Sequence, residues 1–451
     1  MNLPARTGEG DRDGQSAVGR KLERCLEGRD FLWLTGIEDT FITAPDAFTG
    51  RTLDEYALTG HYDRWQSDFA LARELGVTSM RYGIPWHRTN PAKDVWDFSW
   101  TDEALERLLE LGIQPVVDLV HYGLPGWIEG AFLHPDYERY VEEYASRVAE
   151  RYRGKIFQYT PLNEPRITAW YCGKLGLWPP YRRGYGGFVA VLTALCRGMV
   201  RTDRALRAVD PRILCVHADA SDVYEAGDRA LLPEAAFRQN LVFLALDFIT
   251  GRVGAQHPLV PWLLRSGLLT SALDWFVENA APPDVVGVNV YPMFSLKVLE
   301  RRNGRLRVRM PFADATLVDR LLGWYAERYD LPVIVSETAS RGSLRRRRDW
   351  LRGSIAAVAR VRSRGVRVVG YTFWPMFALI RWAYLRGRQP ASAYIEQMGL
   401  WDLAPEADGS LRRVHTPLVD DFRAVVAGGL SAVGPLATPI AKEGGARGLR
   451  R

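Results

Sequence analysis

The sequence predicts an α/β fold, a (β/α)8 TIM barrel in a single domain. Eight short runs rich in β-branched and aromatic residues recur along the chain, and amphipathic helical stretches separate most of them. No linker or internal repeat beyond the βα unit divides the 451 residues, and α/β barrels often exceed 250 residues as one domain.

The eight runs are FLWLTG at 31–36, VTSMRYG at 77–83, QPVVDLV at 114–120, IFQYTP at 156–161, RILCVH at 212–217, DVVGVNVY at 284–291, PVIVSE at 332–337 and RVVGYTFW at 367–374. Each reads as a strand of a parallel sheet, and eight is the number that closes a barrel. In the stretch 62–75, Trp65, Phe69, Ala72 and Leu75 form one stripe, the spacing of a buried helical face, and Gly76 ends it. Similar stripes occur at 101–111, 137–151, 188–209, 315–329, 345–363 and 417–427. On this reading every strand after the first has its helix, and only the first connection lacks a clean one before residue 62. Residues 1–29 form a polar N-terminal lead, the barrel runs over 30–427, and the aperiodic Gly/Ala/Arg-rich segment 428–451 reads as a disordered basic tail.

Composition narrows the class. Hydrophobic residues at 47% and charged residues at 25% give enough apolar material for a large core, which excludes wholesale disorder. The net charge of +6 invites a nucleic-acid partner, but the 59 basic residues are spread along the chain among 53 acidic ones, so dispersed surface charge is the better reading. Cys25, Cys172, Cys196 and Cys215 have neither metal-ligand spacing nor the density of a disulfide scaffold, and no apolar stretch reaches the ~18 residues of a membrane span. The expectation is a cytoplasmic protein with no nucleic-acid or membrane partner.

Barrel enzymes carry their chemistry at the C-terminal ends of the strands. Glu164 follows the fourth strand in TPLNEP, and Glu337 ends the seventh in PVIVSE. Two carboxyls across a barrel mouth, about 5–5.5 Å apart, are what retaining glycoside hydrolysis needs, one to protonate the leaving oxygen and one to attack the anomeric carbon. Taken singly, each is as well explained as a loop or helix-start carboxylate.

Together they bring a resemblance into view. Thr160, Asn163, Glu164 and Pro165 match the T-x-N-E-P segment of family 1 glycoside hydrolases and their relatives in the same barrel clan, and the similarity extends over most of 31–427. It implies Glu164 as acid/base and Glu337 as nucleophile. It implies that Arg81, in RYGIPWHRTNP, hydrogen-bonds the nucleophile and holds it ionised, and that Tyr291, with Asn289 in VGVNVYP, supports the same carboxylate. His121 and Asn163 are expected to bind sugar hydroxyls, and Trp374 and Trp382, on the eighth strand and beyond it, to form the floor and side of a sugar site.

Three positions depart from that pattern. Gly36 stands where the family has a Gln, two residues before Glu38; Arg381 stands where it has a Glu, just before Trp382; and SETAS replaces T-E-N-G, so that Thr338 takes an Asn position. Since a guanidinium can only donate and fits a carboxylate or phosphate, Arg381 predicts an acidic glycone; the bland alternative pairs it with Glu396. No metal or nucleotide fingerprint occurs, so neither metal nor cofactor is expected.

Two insertions remain. The loop 166–187, with Trp170, Tyr171, Trp178, Tyr181 and Tyr185, reads equally as an aglycone wall or as an apolar cover, and 296–310 reads as a β-hairpin turning at Asn303-Gly304, a candidate lid. The function expected is a retaining β-glycosidase acting on a small glycoside or oligosaccharide. The alternatives are a transglycosylase with the same Glu pair and a catalytically silent sugar-binding barrel.

Overall fold

The computed structural model describes residues 24–26 and 30–430. Eight parallel strands close the barrel: β1 (Leu32–Gly36), β2 (Ser79–Gly83), β3 (Gln114–Asp118), β4 (Gln158–Thr160), β5 (Leu214–Ala220), β6 (Val285–Asn289), β7 (Val333–Thr338) and β8 (Val368–Phe373). Each pairs with its sequence neighbours and β8 pairs with β1, so no strand edge is left open. Six of the predicted runs contain their strand whole, and the fifth and seventh strands continue past theirs, to Ala220 and Thr338.

The outer helices are α1 (His61–Glu74), α2 (Ser99–Glu110), α3 (Tyr137–Arg151), α4 (Gly184–Val209), α5 (Leu232–Ile249), α6 (Thr316–Tyr329), α7 (Leu344–Ser363) and α8 (Pro417–Gly428). Seven coincide with predicted stripes. The eighth, α5, corrects the reading that those stripes complete the set, for none of them lies between the fifth and sixth strands. Its second half, Leu241–Ile249, is buried throughout, so it shows no polar face for a periodicity to register. The proposed lead lies almost wholly outside the described residues, as does the tail beyond Leu430.

The barrel interior is stratified. Near the N-terminal ends it is apolar, filled by Leu32, Leu34, Val116, Val216, Val285, Ile334 and Val369. One layer higher the inward residues turn polar, with Arg81, Ser336 and Thr372 buried among them. That change of chemistry within one barrel marks the end at which the site sits.

Both insertions take regular form. The predicted hairpin is Leu296–Arg302 paired with Arg305–Arg309, and Asn303 and Gly304 at its turn have φ of 52° and 73°. Its first strand also pairs in parallel with Val223–Ala226 beyond β5, which anchors it to the barrel top. The loop after β4 folds into two short helices, Pro165–Ala169 and Trp170–Leu175. Tyr171 and Trp178 stack at 4.4 Å and both meet Trp382 edge-on, whereas Tyr185 packs outward on Trp262.

Candidate active site

Glu164 leaves β4 with its backbone in the left-handed region, φ 46°, and Pro165 opens a helix behind it. A non-glycine residue holds that conformation only where its surroundings impose it. Here its N–H donates to the Ala218 carbonyl on β5 at 2.9 Å, which fixes where the side chain emerges.

Glu337 is placed by an irregularity. The β6–β7 register shifts between Val335 and Glu337, setting Glu337 opposite Asn289. Ser336 donates to Asn289 Oδ1 at 2.6 Å across the same step. Thr338 faces the other way, donating to the Val290 carbonyl at 2.6 Å and accepting from Trp350 Nε1 at 2.9 Å. Its departure from the family's Asn therefore serves the packing of β7 on β6 and α7.

The two carboxyl groups are buried, 7% and 4% exposed, and each has a different donor set. Glu337 accepts from Arg81 Nη1 and from the Tyr291 hydroxyl, the latter at 2.7 Å. Glu164 accepts from the Tyr122 hydroxyl at 2.6 Å on Oε2 and from Asn289 Nδ2 at 2.9 Å on Oε1. A continuous chain joins them. Arg81 Nη2 donates to Asn163 Oδ1 at 2.7 Å, and Asn289 Nδ2 reaches the same oxygen at 3.3 Å.

That chain also sets a tautomer. Because a guanidinium only donates, Asn163 must turn its oxygen to Arg81 and its NH2 to His121 Nε2, 2.9 Å away. His121 therefore presents a lone pair at Nε2 and carries its proton on Nδ1, which faces Asp39 Oδ1 at 2.5 Å.

Burial raises both catalytic candidates. The Glu337 carboxyl is pushed up to about 8, burial and the neighbouring Glu164 outweighing Arg81. Glu164 is raised by burial, with Tyr122 and Asn289 pulling the other way. The expectation that Arg81 alone keeps Glu337 ionised is thus too simple: two buried acids in one site retain a proton near neutrality. The donor sets decide where it sits. Glu337 faces a permanent cation, while Glu164 meets only a neutral hydroxyl and a neutral amide, so the proton belongs on Glu164.

Trp374 is 1% exposed. It stacks on His121 with centroids 5.9 Å apart, lies 4.8 Å from the Arg81 guanidinium and donates to Glu38 Oε2 at 3.2 Å. Gly36 makes room for it, since a Cβ at residue 36 would lie 2.1 Å from the indole. A side chain at position 36 and the indole in this place exclude each other. Trp382 is half-buried, edge-on to Tyr122 at 5.0 Å and to Trp178 at 4.9 Å.

Arg381 is not brought into this cluster. Backbone pairing of Leu379–Ile380 with Ile395–Glu396 turns Ile380 inward and Arg381 outward, where its guanidinium is exposed, donates to the Ala393 carbonyl at 3.2 Å and lies over Tyr394. The alternative partner is engaged elsewhere, Glu396 accepting from Arg341 at 3.4 Å.

The sequence reading missed Asp39, Asp118 and Tyr122. Asp118 ends β3 and forms an ion pair with Arg81 at 2.8 Å, so the strand-end criterion that found Glu337 would have found it too. Asp39, Asp118 and His121 could offer donor atoms to a metal, all within 4.8 Å of one another, but Arg81 and the His121 ring already meet these carboxylates. Burial holds the Asp39 carboxyl up at about 6.

Residues 34–227, which carry Arg81, His121, Asn163 and Glu164, match the family model described as Glycosyl hydrolase family 1. Beta-glucosidase A of Thermotoga maritima is 23% identical over 373 residues, 74% of this chain and 82% of that protein. Over those residues the chain is similar to glycosyl hydrolase family 1. Another relative is a bifunctional beta-D-glucosidase/beta-D-fucosidase of Bifidobacterium breve, 33% identical over 143 residues, a match spanning 31% of that protein. The family 1 barrel of T. maritima superposes with a TM-score of 0.73 at 19% identity, covering 88% of this chain and 97% of that one. The AHE enzyme from Alicyclobacillus herbarius gives 0.74 at 21% identity, covering 89% and 98%. The relatives are β-glucosidases and a β-fucosidase by name, and they do not favour a transglycosylase or a silent sugar-binding barrel.

Proposed function

We propose that this chain is a family 1 enzyme that cleaves small β-glycosides by double displacement with Glu337 as nucleophile and Glu164 as acid/base. The observation that carries the assignment is the asymmetry of the two donor sets. In the first step the Glu164 Oε2 proton passes to the glycosidic oxygen as the C1–O bond breaks, and a Glu337 oxygen bonds to C1 from the opposite face. In the second, Glu164 takes a proton from water, whose oxygen displaces Glu337 from C1, so the β configuration returns.

The names of the relatives make β-glucosides and β-fucosides the first substrates to try. A β-glucuronide belongs in the same screen, because an acidic glycone was the reading attached to Arg381. We place the enzyme in the cytoplasm, a reading supported by the buried thiols Cys172, Cys196 and Cys215; no described helix is long and apolar enough to cross a membrane.

The assignment is tested with Glu337→Gly. Turnover should fall by ~10⁴-fold or more, about 5.5 kcal/mol of barrier, and added azide should restore part of it while giving the α-glycosyl azide. An external anion can fill the space of a nucleophile but cannot replace a structural carboxylate. Undiminished turnover, or rescue giving a β-azide, would remove Glu337 from the role.

A further inference from the structure

Tyr122 is the residue next to His121, and nothing in the established chemistry uses it. Its side chain is held from every side. The backbone sits in the left-handed region at φ 70°, and the following Gly123 passes beneath the Phe41 carbonyl so closely that a Cβ there would lie 1.6 Å from the oxygen. The ring is wedged edge-on against His121 at 4.6 Å and Trp382 at 5.0 Å, with Trp178 at 5.5 Å. The result of this packing is a fixed phenol oxygen 2.6 Å from Glu164 Oε2.

The two oxygens of Glu164 are not equivalent. Oε1 faces the NH2 of Asn289, whose own orientation is set by Ser336 at its Oδ1, so a donor always points at Oε1. Oε2 is the oxygen free to carry the proton. One of its lone pairs takes the Tyr122 hydroxyl, and the other direction is left for the bond to the departing glycosidic oxygen. When that proton leaves, the charge on Glu164 is met at once by two donors already in place, Tyr122 on Oε2 and Asn289 on Oε1.

We propose that Tyr122 is a positioning residue for the acid/base: it holds Glu164 Oε2 toward the leaving group and stabilises the carboxylate formed when the proton is delivered. The inference rests on the assignment of Glu164 as acid/base. It adds the consequence that the strength of the acid is set from the third strand's end, by a residue outside the Glu pair. The proton balance is simple: the Oε2–H bond breaks, a bond from that proton to the glycosidic oxygen forms, and the Tyr122 O–H bond stays intact throughout. Burial and the neighbouring Glu164 hold the phenol far above its ordinary range, which keeps it a permanent donor.

The test compares Tyr122→Phe with the unmodified enzyme and with Glu164→Ala, on a nitrophenyl and an alkyl β-glycoside, across pH. Loss of the hydroxyl removes a donor to the carboxylate, so the acid weakens. The basic limb of kcat/KM should move up by about one pH unit. Activity on the alkyl glycoside should fall about tenfold, with the nitrophenyl glycoside within about twofold, because a good leaving group departs unprotonated. Fluorotyrosine placed at 122, a stronger donor of nearly the same size, should move the limb down, and it decides the matter if the Phe variant does not fold. An unmoved limb in both proteins, or equal losses on the two glycosides, overturns the role of Tyr122. If Glu164→Ala itself fails to separate the two glycosides, the assignment of Glu164 falls instead.

Discussion

At the scale of single residues, the site is a set of choices about which atoms donate. Arg81 has no acceptor to offer, and that one property propagates: it turns Asn163, which selects the tautomer of His121, and it leaves Glu337 facing a cation. Glu164 keeps the proton because its neighbours are a hydroxyl and an amide. A prediction belongs here. Glu164→Ala should spare nitrophenyl glycosides in the glycosylation step and lose alkyl glycosides by ~10²–10⁴-fold, the span of general acid catalysis, as read from kcat/KM on the two series. Equal losses would count against the acid role. Much of this was legible in the sequence, since Glu164, Glu337, His121 and Asn289 lie at or just beyond the C-terminal end of a strand, Arg81 sits within β2, and all fall into one cluster. Tyr122 was hidden for a physical reason: which way a side chain points from a left-handed backbone next to a glycine is decided by the Phe41 carbonyl, some eighty positions away in the chain. Arg381 shows that residue type does not give direction, for a two-residue strand turns it outward.

At the scale of elements, what was read and what was missed follow one rule. Helices that separate core from solvent declare themselves by a stripe, and α1, α2 and α3 did so. Helix α5 has Leu241–Ile249 sunk on all sides and shows none. The hairpin Trp401–Pro405 with Leu411–His415 is similarly quiet, at five residues a strand. Its role is tertiary. Arg413 on its second strand makes two bonds to Asp68 on α1, at 2.7 and 2.8 Å, and a third to the Thr59 carbonyl at 2.7 Å. Asp68 is in turn bonded to His61, and His61 to the Tyr82 hydroxyl on β2. This chain ties the C-terminal hairpin to the first helix. Arg413→Met should therefore cost about 3–5 kcal/mol, because it leaves Asp68 charged and buried without its cation. A fall in thermal midpoint that is largely recovered when Asp68→Asn is added would support the account. An unchanged midpoint would mean the hairpin docks by other contacts.

At the scale of the whole molecule, the apolar layer low in the barrel supports a polar layer that works against stability. Glu337 and Asp39 are both raised by burial, to about 8 and about 6, and Glu55 is raised well above its ordinary value for the same reason. In the unfolded chain these groups titrate near 4. The folded protein thus binds more protons between about pH 4 and pH 8, and its stability falls as pH rises through that window. Glu337→Gln breaks up the coupled Glu164–Glu337 pair and so removes the proton the two share near neutrality. Its thermal midpoint should gain on the unmodified protein between pH 5 and pH 8, by the equivalent of about 3 kcal/mol, at a single scan rate. A constant difference across that range would mean that the pair holds no proton above the ordinary carboxylate range. The barrel itself was legible because closure needs eight strands and the chain offers eight.

The indole lying over Gly36 has a consequence for how this chain can change. A side chain cannot return to position 36 while Trp374 is there, since even its first carbon would overlap the ring. Nor can Trp374 move first without cost, because Glu38 would lose the indole N–H and Arg81 and His121 the face they lie on. The two positions are therefore inherited together. A single substitution at either position breaks packing that only a paired change can restore.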